Sequence, residues 1–376
     1  MITLGFDAKR AFKNFSGLGN YSRSLIRALF TYCPQNRYIL YTPPYSAHPA
    51  LEQLDYPNVE VKTPKGIGHW IPQWWRSGGL GFSTALKTEG VQVFHGLSAE
   101  LPCGISPSVA MAVTVHDLIF IRYPQYYKPV DRFVYKKKLL YACQRANIVI
   151  AVSQQTRDDL IHYLHVDPEK IVVLYQGCDP QFYPKPPPQT CIAVKAKYHL
   201  PEQYILSVGT IEERKNLITL IKSLTMLPQS IHLVAVGKST SYMEQVLREV
   251  DKQKIAPRVH FIHNTPFSDL PALYAGARAL VYPSLFEGFG IPVLEGLNMG
   301  IPVITSNISS MPEAGGDAAA YINPLDACEM AQTILHILED PSLSAQMVER
   351  GYRHALHFRE DKIAFAMNAL YTKLIT

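Results

Sequence analysis

Ser284-Leu-Phe-Glu-Gly-Phe-Gly-Ile-Pro-Val-Leu-Glu295 is the stretch whose reading decides the fold. An apolar, strand-like run, Ala279-Leu-Val-Tyr282, precedes it, and the spacing predicts a short helix opening within it. Pro292 suits the first turn of that helix, because its missing N–H would have no intrahelical partner there. Gly300 is placed to end the helix, and Ile301-Pro-Val-Ile304 starts the next strand. Glu287, Gly288, Phe289 and Gly290 therefore fall in a strand-to-helix loop. At such a helix start, unpaired N–H groups and the dipole favour an anion. Glu295 lies about one turn inside the helix, able to face the same crevice. Two carboxylates flanking an anion site fit together if they bind hydroxyls while the backbone binds phosphate, and a nucleotide sugar presents that mixture. The dipole also favours carboxylates at a helix start, so spacing alone leaves a purely structural role open.

Outward from this stretch, strand and helix signals alternate. In the second half, strands are expected over residues 204–208, 231–236, 259–262, 280–282 and 302–305, with helical stretches between them. In the first half they are expected over 2–6, 38–41, 59–61, 91–94, 110–115, 147–152 and 171–174. Such alternation argues for parallel sheets with helices on both faces. Tyr183-Pro-Lys-Pro-Pro-Pro188 divides the two halves, since a proline cluster continues neither a helix nor a central strand. A length of 376 residues suits two domains, and 47% hydrophobic with 18% charged residues describes a globular chain with ample core.

Composition also excludes several classes. No run approaches the roughly 18 apolar residues of a membrane span. The N-terminus goes straight into a strand, without the charged and apolar regions of a signal peptide. The six cysteines are scattered with no Cys-x-x-Cys pair, so reduced thiols in a cytoplasmic protein are expected and a metal cage is not. A net charge of +5 suits acidic ligands or an anionic membrane surface and is too small to argue for nucleic acid.

Three further places carry candidate chemistry. Gly17-Leu-Gly-Asn-Tyr begins a helix whose start a phosphate could approach at Gly17 and Gly19, although an ordinary loop would use glycine equally. His116 and Asp117 follow the buried strand 110–115 at its carboxyl end, where open α/β sheets bind ligands, and Asp117 could orient the imidazole. Arg214 and Lys215 stand beside a helix start after the strand 204–208 and could neutralise a diphosphate. Ser309-Ser-Met-Pro-Glu313 reads most simply as helix capping. Two stretches suit a surface: Trp70, Trp74 and Trp75 beside His69 and Arg76, and Lys136-Lys-Lys138 with Arg132 and Arg145. Core packing and a solvated basic face are their plain accounts; membrane contact is the alternative for both, and an acceptor surface is a further alternative for the tryptophans.

Glu287 and Glu295, separated by seven residues with Gly-Phe-Gly after the first, resemble the signature of retaining glycosyltransferases of family 4. The resemblance runs in order from the glycine loop through His116-Asp117, the proline linker and Arg214-Lys215 to Glu295. It implies the GT-B form of the α/β class, two Rossmann-like domains with parallel sheets facing across a cleft. Residues 1–184 would form the acceptor-side domain and 185–355 the nucleotide-sugar domain, with a helix in 356–376 packing back on the first. By the same resemblance His116, Asp117 and Glu287 would serve catalysis. Gly17, Gly19, Arg214, Lys215, Gly288, Phe289 and Gly290 would bind the donor phosphates, and Glu295 the ribose. Many members carry Arg directly after the glycine where this chain has Thr210, which leaves open whether Arg214 takes that part.

The flavour is that of bacterial mannosyltransferases of surface-polysaccharide assembly. The implied partners are a nucleotide sugar, leaning to GDP-mannose, and a saccharide or lipid-linked saccharide acceptor, with membrane contact at the inner face as an option and no nucleic acid. No Asp-x-Asp element occurs, so no metal and no cofactor are expected. A sugar phosphorylase of the same fold and a catalytically silent nucleotide-sugar-binding partner protein remain as alternatives.

Overall fold

In a computed structural model, residues 1–15, 17–64, 78 and 81–376 are described. The tryptophan-rich stretch with His69, Trp70, Trp74, Trp75 and Arg76 lies outside the described residues. The chain forms two compact units, Met1–Gly177 with Arg359–Thr376, and Cys178–Phe358.

Among the described residues the first unit holds seven strands: β1 (Thr3–Asp7), β2 (Arg37–Tyr41), β3 (Val59–Lys62), β4 (Val93–Gly96), β5 (Ala110–Val115), β6 (Ile148–Ala151) and β7 (Ile171–Val173). Their order is β3-β2-β1-β4-β5-β6-β7, and every pairing is parallel. Strands such as Ala-Met-Ala-Val-Thr-Val are apolar on both faces because helices cover both faces. One cover is the helix Gly17–Tyr32, which buries Leu25, Ile26 and Leu29. Another is the final helix, Glu360–Ile375, which buries Ile363, Ala364, Met367 and Tyr371 at helical spacing in the same core as Phe6 and Leu29. Fully burying a side chain the size of Leu29, Ile363 or Met367 stabilises by about 1.5–3 kcal/mol.

The second unit holds β8 (Tyr204–Val208), β9 (His232–Val236), β10 (Val259–Ile262), β11 (Ala279–Tyr282), β12 (Val303–Ser306) and β13 (Ala319–Ile322). They run in the order β10-β9-β8-β11-β12-β13, again all parallel. Strand β13 is absent from the sequence reading; its Ala-Ala-Tyr-Ile run is small and half-buried, without a strong apolar signal.

The units divide at Gly177, before the proline cluster where sequence places the border at 184. The reason is packing. Phe182 is fully buried and meets Phe267 and Tyr274 edge-on at 5.9 and 5.6 Å, while Pro188 opens the helix Pro188–Lys197. The prolines therefore belong to the second unit.

In each sheet the strand order reverses once, between β1 and β4 and between β8 and β11. Crevices outside the carboxyl ends of strands at such reversals are where open α/β sheets bind ligands.

Candidate functional site

In the second unit, two loops leave the sheet at the reversal. One follows β8 and carries Arg214 and Lys215 in a short 3-10 turn; the other follows β11 and carries Glu287. Gly290 ends the second loop at φ +118°, a conformation that favours glycine, and the helix Ile291–Met299 starts from it. Pro292 lies in its first turn and Gly300 closes it at φ +67°.

Glu287 is the centre of this arrangement. Its Oε1 accepts hydrogen bonds from Ser284 Oγ at 2.6 Å and Tyr282 OH at 2.8 Å. The same oxygen pairs with Arg214 Nη1 at 2.6 Å and with Lys215 Nζ. All four donors gather on Oε1, so among the described residues Oε2 takes none of these bonds. Burial works against the charge, but Arg214 and Lys215 outweigh it and hold the carboxyl well below its usual range. Burial also dominates at Lys215, whose ammonium is held below its ordinary value despite Glu287. Arg214 keeps its charge; burial opposes it while Glu287 and Glu212 favour it. Its guanidinium further reaches the Phe286 carbonyl and Glu212, each at 2.5 Å.

The loop's backbone is fastened by a pair that sequence assigns to capping. Ser310 stands at the start of the helix Met311–Gly315, yet its hydroxyl makes no cap. It donates to the carbonyls of Glu287 at 2.9 Å and Phe289 at 2.8 Å, and Ser309 bonds both the carbonyl and the N–H of Glu287. Residues 288–290 are thus presented at the start of a nine-residue helix with their backbone fixed. Thr210 is exposed on the β8 loop, whereas Arg214 is the cation that reaches Glu287.

Glu295 sits one turn into that helix and is 7% exposed. Tyr274 OH donates to its Oε2 at 2.5 Å. Burial raises its carboxyl to about 7; the Tyr274 bond pulls the other way and Asp179 adds to the rise. Tyr274, from the helix Leu270–Ala275, has no sequence signal that marks it. Tyr282 and Ser284 do have one, their place at a strand's carboxyl end just before Glu287.

In the first unit, His116 follows β5. Gln176 Nε2 donates to its Nδ1 at 3.1 Å, so Nε2 carries the proton and donates to the Leu97 carbonyl at 2.9 Å. The Tyr21 ring meets it edge-on at 4.5 Å. Burial pushes the imidazole down to about 4 and nearby Arg10 adds to this, so it is neutral at neutral pH. Asp117 does not orient the ring as expected. Both ring nitrogens have other partners, and the Asp117 carboxylate accepts the Ile119 N–H at 3.1 Å, since a short helix begins there. Below His116 a buried chain runs from Tyr371 OH to His95 (2.6 Å), to Thr114 (2.8 Å), to Tyr21 (3.2 Å).

Gly19 has a packing reason. A Cβ there would lie 1.5 Å from the Asn14 carbonyl, which backs onto the helix. At Gly17 a Cβ would meet nothing within 4 Å, so that helix start is open. Arg23, unmarked in the sequence, ties the preceding loop down through the carbonyls of Ala11 (2.7 Å) and Asn14 (2.9 Å).

Comparison with known proteins points one way. A family model described as Glycosyltransferase Family 4 matches residues 15–182, and one described as Glycosyl transferases group 1 matches residues 193–354. O-antigen chain mannosyltransferase B of Escherichia coli is 32% identical over 280 residues, covering 73% of this chain and 72% of that protein. O-antigen chain mannosyltransferase RfbU of Salmonella typhimurium is 31% identical over 229 residues; the match takes in 61% of this chain and spans 61% of that relative's length. Among solved structures, Anabaena Alr3699/HepE in complex with UDP and glucose superposes with a TM-score of 0.76 over 99% of this chain and 100% of that one. At 18% identity, that likeness is one of fold.

Proposed function

We infer that this chain, which belongs to glycosyltransferase family 4, transfers a mannosyl group from GDP-mannose to a saccharide or lipid-linked saccharide in bacterial polysaccharide or lipopolysaccharide synthesis. The observation that carries this reading is the convergence of Arg214, Lys215, Tyr282 and Ser284 on one oxygen of Glu287 at a strand-order reversal. It leaves Oε2 to accept a sugar hydroxyl while the two cations and the start of the Ile291–Met299 helix offer positive charge to phosphate. Mannose as the sugar is supported by the names of the two relatives.

Catalysis in this reading is positioning and electrostatics. The acceptor oxygen bonds to the anomeric carbon as the bond from that carbon to the diphosphate oxygen breaks. The acceptor proton passes to a phosphate oxygen on the same sugar face, so configuration is retained. Arg214, Lys215 and the helix start stabilise the departing diphosphate, so no metal ion is required. Gly17 offers a second open helix start to phosphate, while Gly19 lets that start form. His116 contributes to turnover as a neutral group, and Asp117 holds the segment after it. Glu295 holds the ribose hydroxyls.

The two glutamates separate this from its rivals. Glu295→Gln should weaken binding of GDP, while Glu287→Gln should leave it nearly intact and lower turnover; losing a hydrogen bond to a charged group costs about 1.5–3 kcal/mol. Calorimetry showing equal loss of GDP affinity in both variants would overturn the division. Turnover of GDP-mannose should persist in EDTA, and the product should keep the donor's anomeric configuration by NMR. Activity that needs free phosphate would make the protein a phosphorylase, and nucleotide binding without turnover would make it a silent binder.

A further inference from the structure

The helix Pro129–Arg145 begins far out in solvent. From residue 128 to 138 every position is exposed except Arg132, which is half-covered. The helix reaches the core later, through Leu139, Ala142 and Cys143. Val130, Phe133, Val134 and Lys137 recur at the spacing of one helix face. Leu139 follows Val130 by about two and a half turns, so the core side and this stripe point in opposite directions.

The stripe is apolar where a water-facing helix should be polar. Val130 is 73% exposed, Phe133 60% and Val134 40%. Basic residues ring it: Lys128, Arg132, Lys136, Lys137 and Lys138, with Asp131 as the one acidic residue from 128 to 138. The Lys137 ammonium lies 4.4 Å from the centre of the Phe133 ring. Lys138 reaches Glu100 at 3.1 Å; Lys128, Lys136 and Lys137 form no ion pair among the described residues. Unpaired cations around an exposed aromatic and two valines match one kind of surface, with apolar depth beneath and negative charge on top.

We propose that this face of the Pro129–Arg145 helix docks the protein on an anionic lipid surface. Phe133, Val130 and Val134 enter the boundary between headgroups and acyl chains, and the lysines meet lipid phosphates. No helix among the described residues is long and apolar enough to cross a membrane, so the contact is a peripheral one. Charge sets this patch apart from the exposed Leu325. Leu325 is equally exposed at 73%, but Asp326 and Glu329 follow it.

The test uses the full chain and sedimentation with two kinds of vesicle, phosphatidylcholine alone and phosphatidylcholine mixed with phosphatidylglycerol. The protein should pellet with the mixed vesicles and stay in solution with the neutral ones. Lys136→Gln with Lys137→Gln should weaken binding roughly 25-fold, about fivefold per lysine. Val130→Ser with Phe133→Ser should also release the protein, and Leu325→Ser should change nothing. All these positions are exposed, and an unchanged melting temperature checks that each variant folds. Absence of binding to mixed vesicles overturns the proposal, as does binding that survives both double variants. If the wild type self-associates in solution and Val130→Ser with Phe133→Ser abolishes that while vesicles are ignored, the face belongs to protein contact and the proposal falls. Vesicle binding is read without donor or acceptor, so it succeeds or fails independently of the transfer reaction.

Discussion

Glu287 in the second unit and His116 in the first each lie beyond the carboxyl end of a parallel strand, and each is half-buried. Burial disfavours the charged form of both. At Glu287 two cations reverse that penalty, so the carboxylate stays charged. Among the described residues no carboxylate reaches the His116 ring, and the imidazole stays neutral between the Leu97 carbonyl and the Gln176 amide. The carboxyl ends of strands in two similar sheets thus hold opposite kinds of site, one built from full charges and the other from neutral dipoles. What separates them is the loop that packs alongside, the 3-10 turn carrying Arg214 and Lys215 in one case and Leu97 and Gln176 in the other.

The strongest way to break this contrast is at Lys215. Lys215→Met removes one of two cations from Glu287 and from the departing diphosphate. Turnover should fall about 10²–10³-fold, the usual cost of removing a preorganised electrostatic group. If Arg214, Lys215 and Glu287 act as one unit, Lys215→Met and Glu287→Gln together should cost less than the sum of the two. The coupling expected from a double-mutant cycle on thermal or denaturant stability is about 0.5–3 kcal/mol. Losses that simply add would dissolve the unit into independent residues.

His116 tests the neutral side. His116→Ala should reduce turnover at least ~10-fold, about 1.4 kcal/mol of barrier, with far less change in GDP affinity. Because the ring titrates only near 4, the wild-type pH–rate profile should show no inflection from it near 6.5. Stability should carry its signature instead. His116 and His95, the latter pushed down by burial to about 3, stay neutral in the fold while unfolded histidines protonate. Their contribution is complete above pH 6.5 and is lost as pH falls from there, towards 4 for His116 and towards 3 for His95. An inflection in turnover near 6.5 that disappears in His116→Ala would return the ring to the charged class and end the contrast.

Much of this was legible beforehand, for a physical reason. Parallel strands buried on both faces announce themselves as apolar runs, and positions such as Gly290, Pro292 and Gly300 punctuate a helix by backbone geometry alone. The gathering of Glu287, Arg214 and Lys215 follows once β8 and β11 are neighbours. What sequence does not carry is the company each group keeps across the fold. Tyr274 reaches Glu295 from 21 residues away, Gln176 reaches His116 from 60, and Tyr371 reaches His95 from 276. Ser310 misleads for another reason: at the head of a helix a serine normally caps, but here a neighbouring loop offers it two carbonyls.

Glu295 gives the smallest expected effect on activity and the finest test, because it lies between the two kinds of site. Like Glu287 it is a carboxyl in the second unit, but its partner within hydrogen-bond distance is the neutral Tyr274 hydroxyl. Burial accordingly prevails and raises it to about 7. For an acid raised from 4.5, the fold binds the proton more tightly than the unfolded chain does. Stability is therefore unaffected below 4.5 and is lost as pH rises through about 7. This window is opposite in direction to that of the histidines. Glu295→Gln should remove the loss, so the variant gains stability relative to wild type between pH 4.5 and 7, by at most about 3 kcal/mol. If Glu295 also holds the ribose, its ionised form is the better hydroxyl acceptor. GDP affinity should then rise about fivefold as pH passes through 7, corresponding to about 1 kcal/mol in one hydrogen bond. The Gln variant should bind more weakly and without that slope. Melting temperature and GDP calorimetry across pH 5 to 9 on both proteins measure the two effects together. A stability slope without an affinity slope would leave Glu295 as a buried acid held by Tyr274 and take it out of the ribose site.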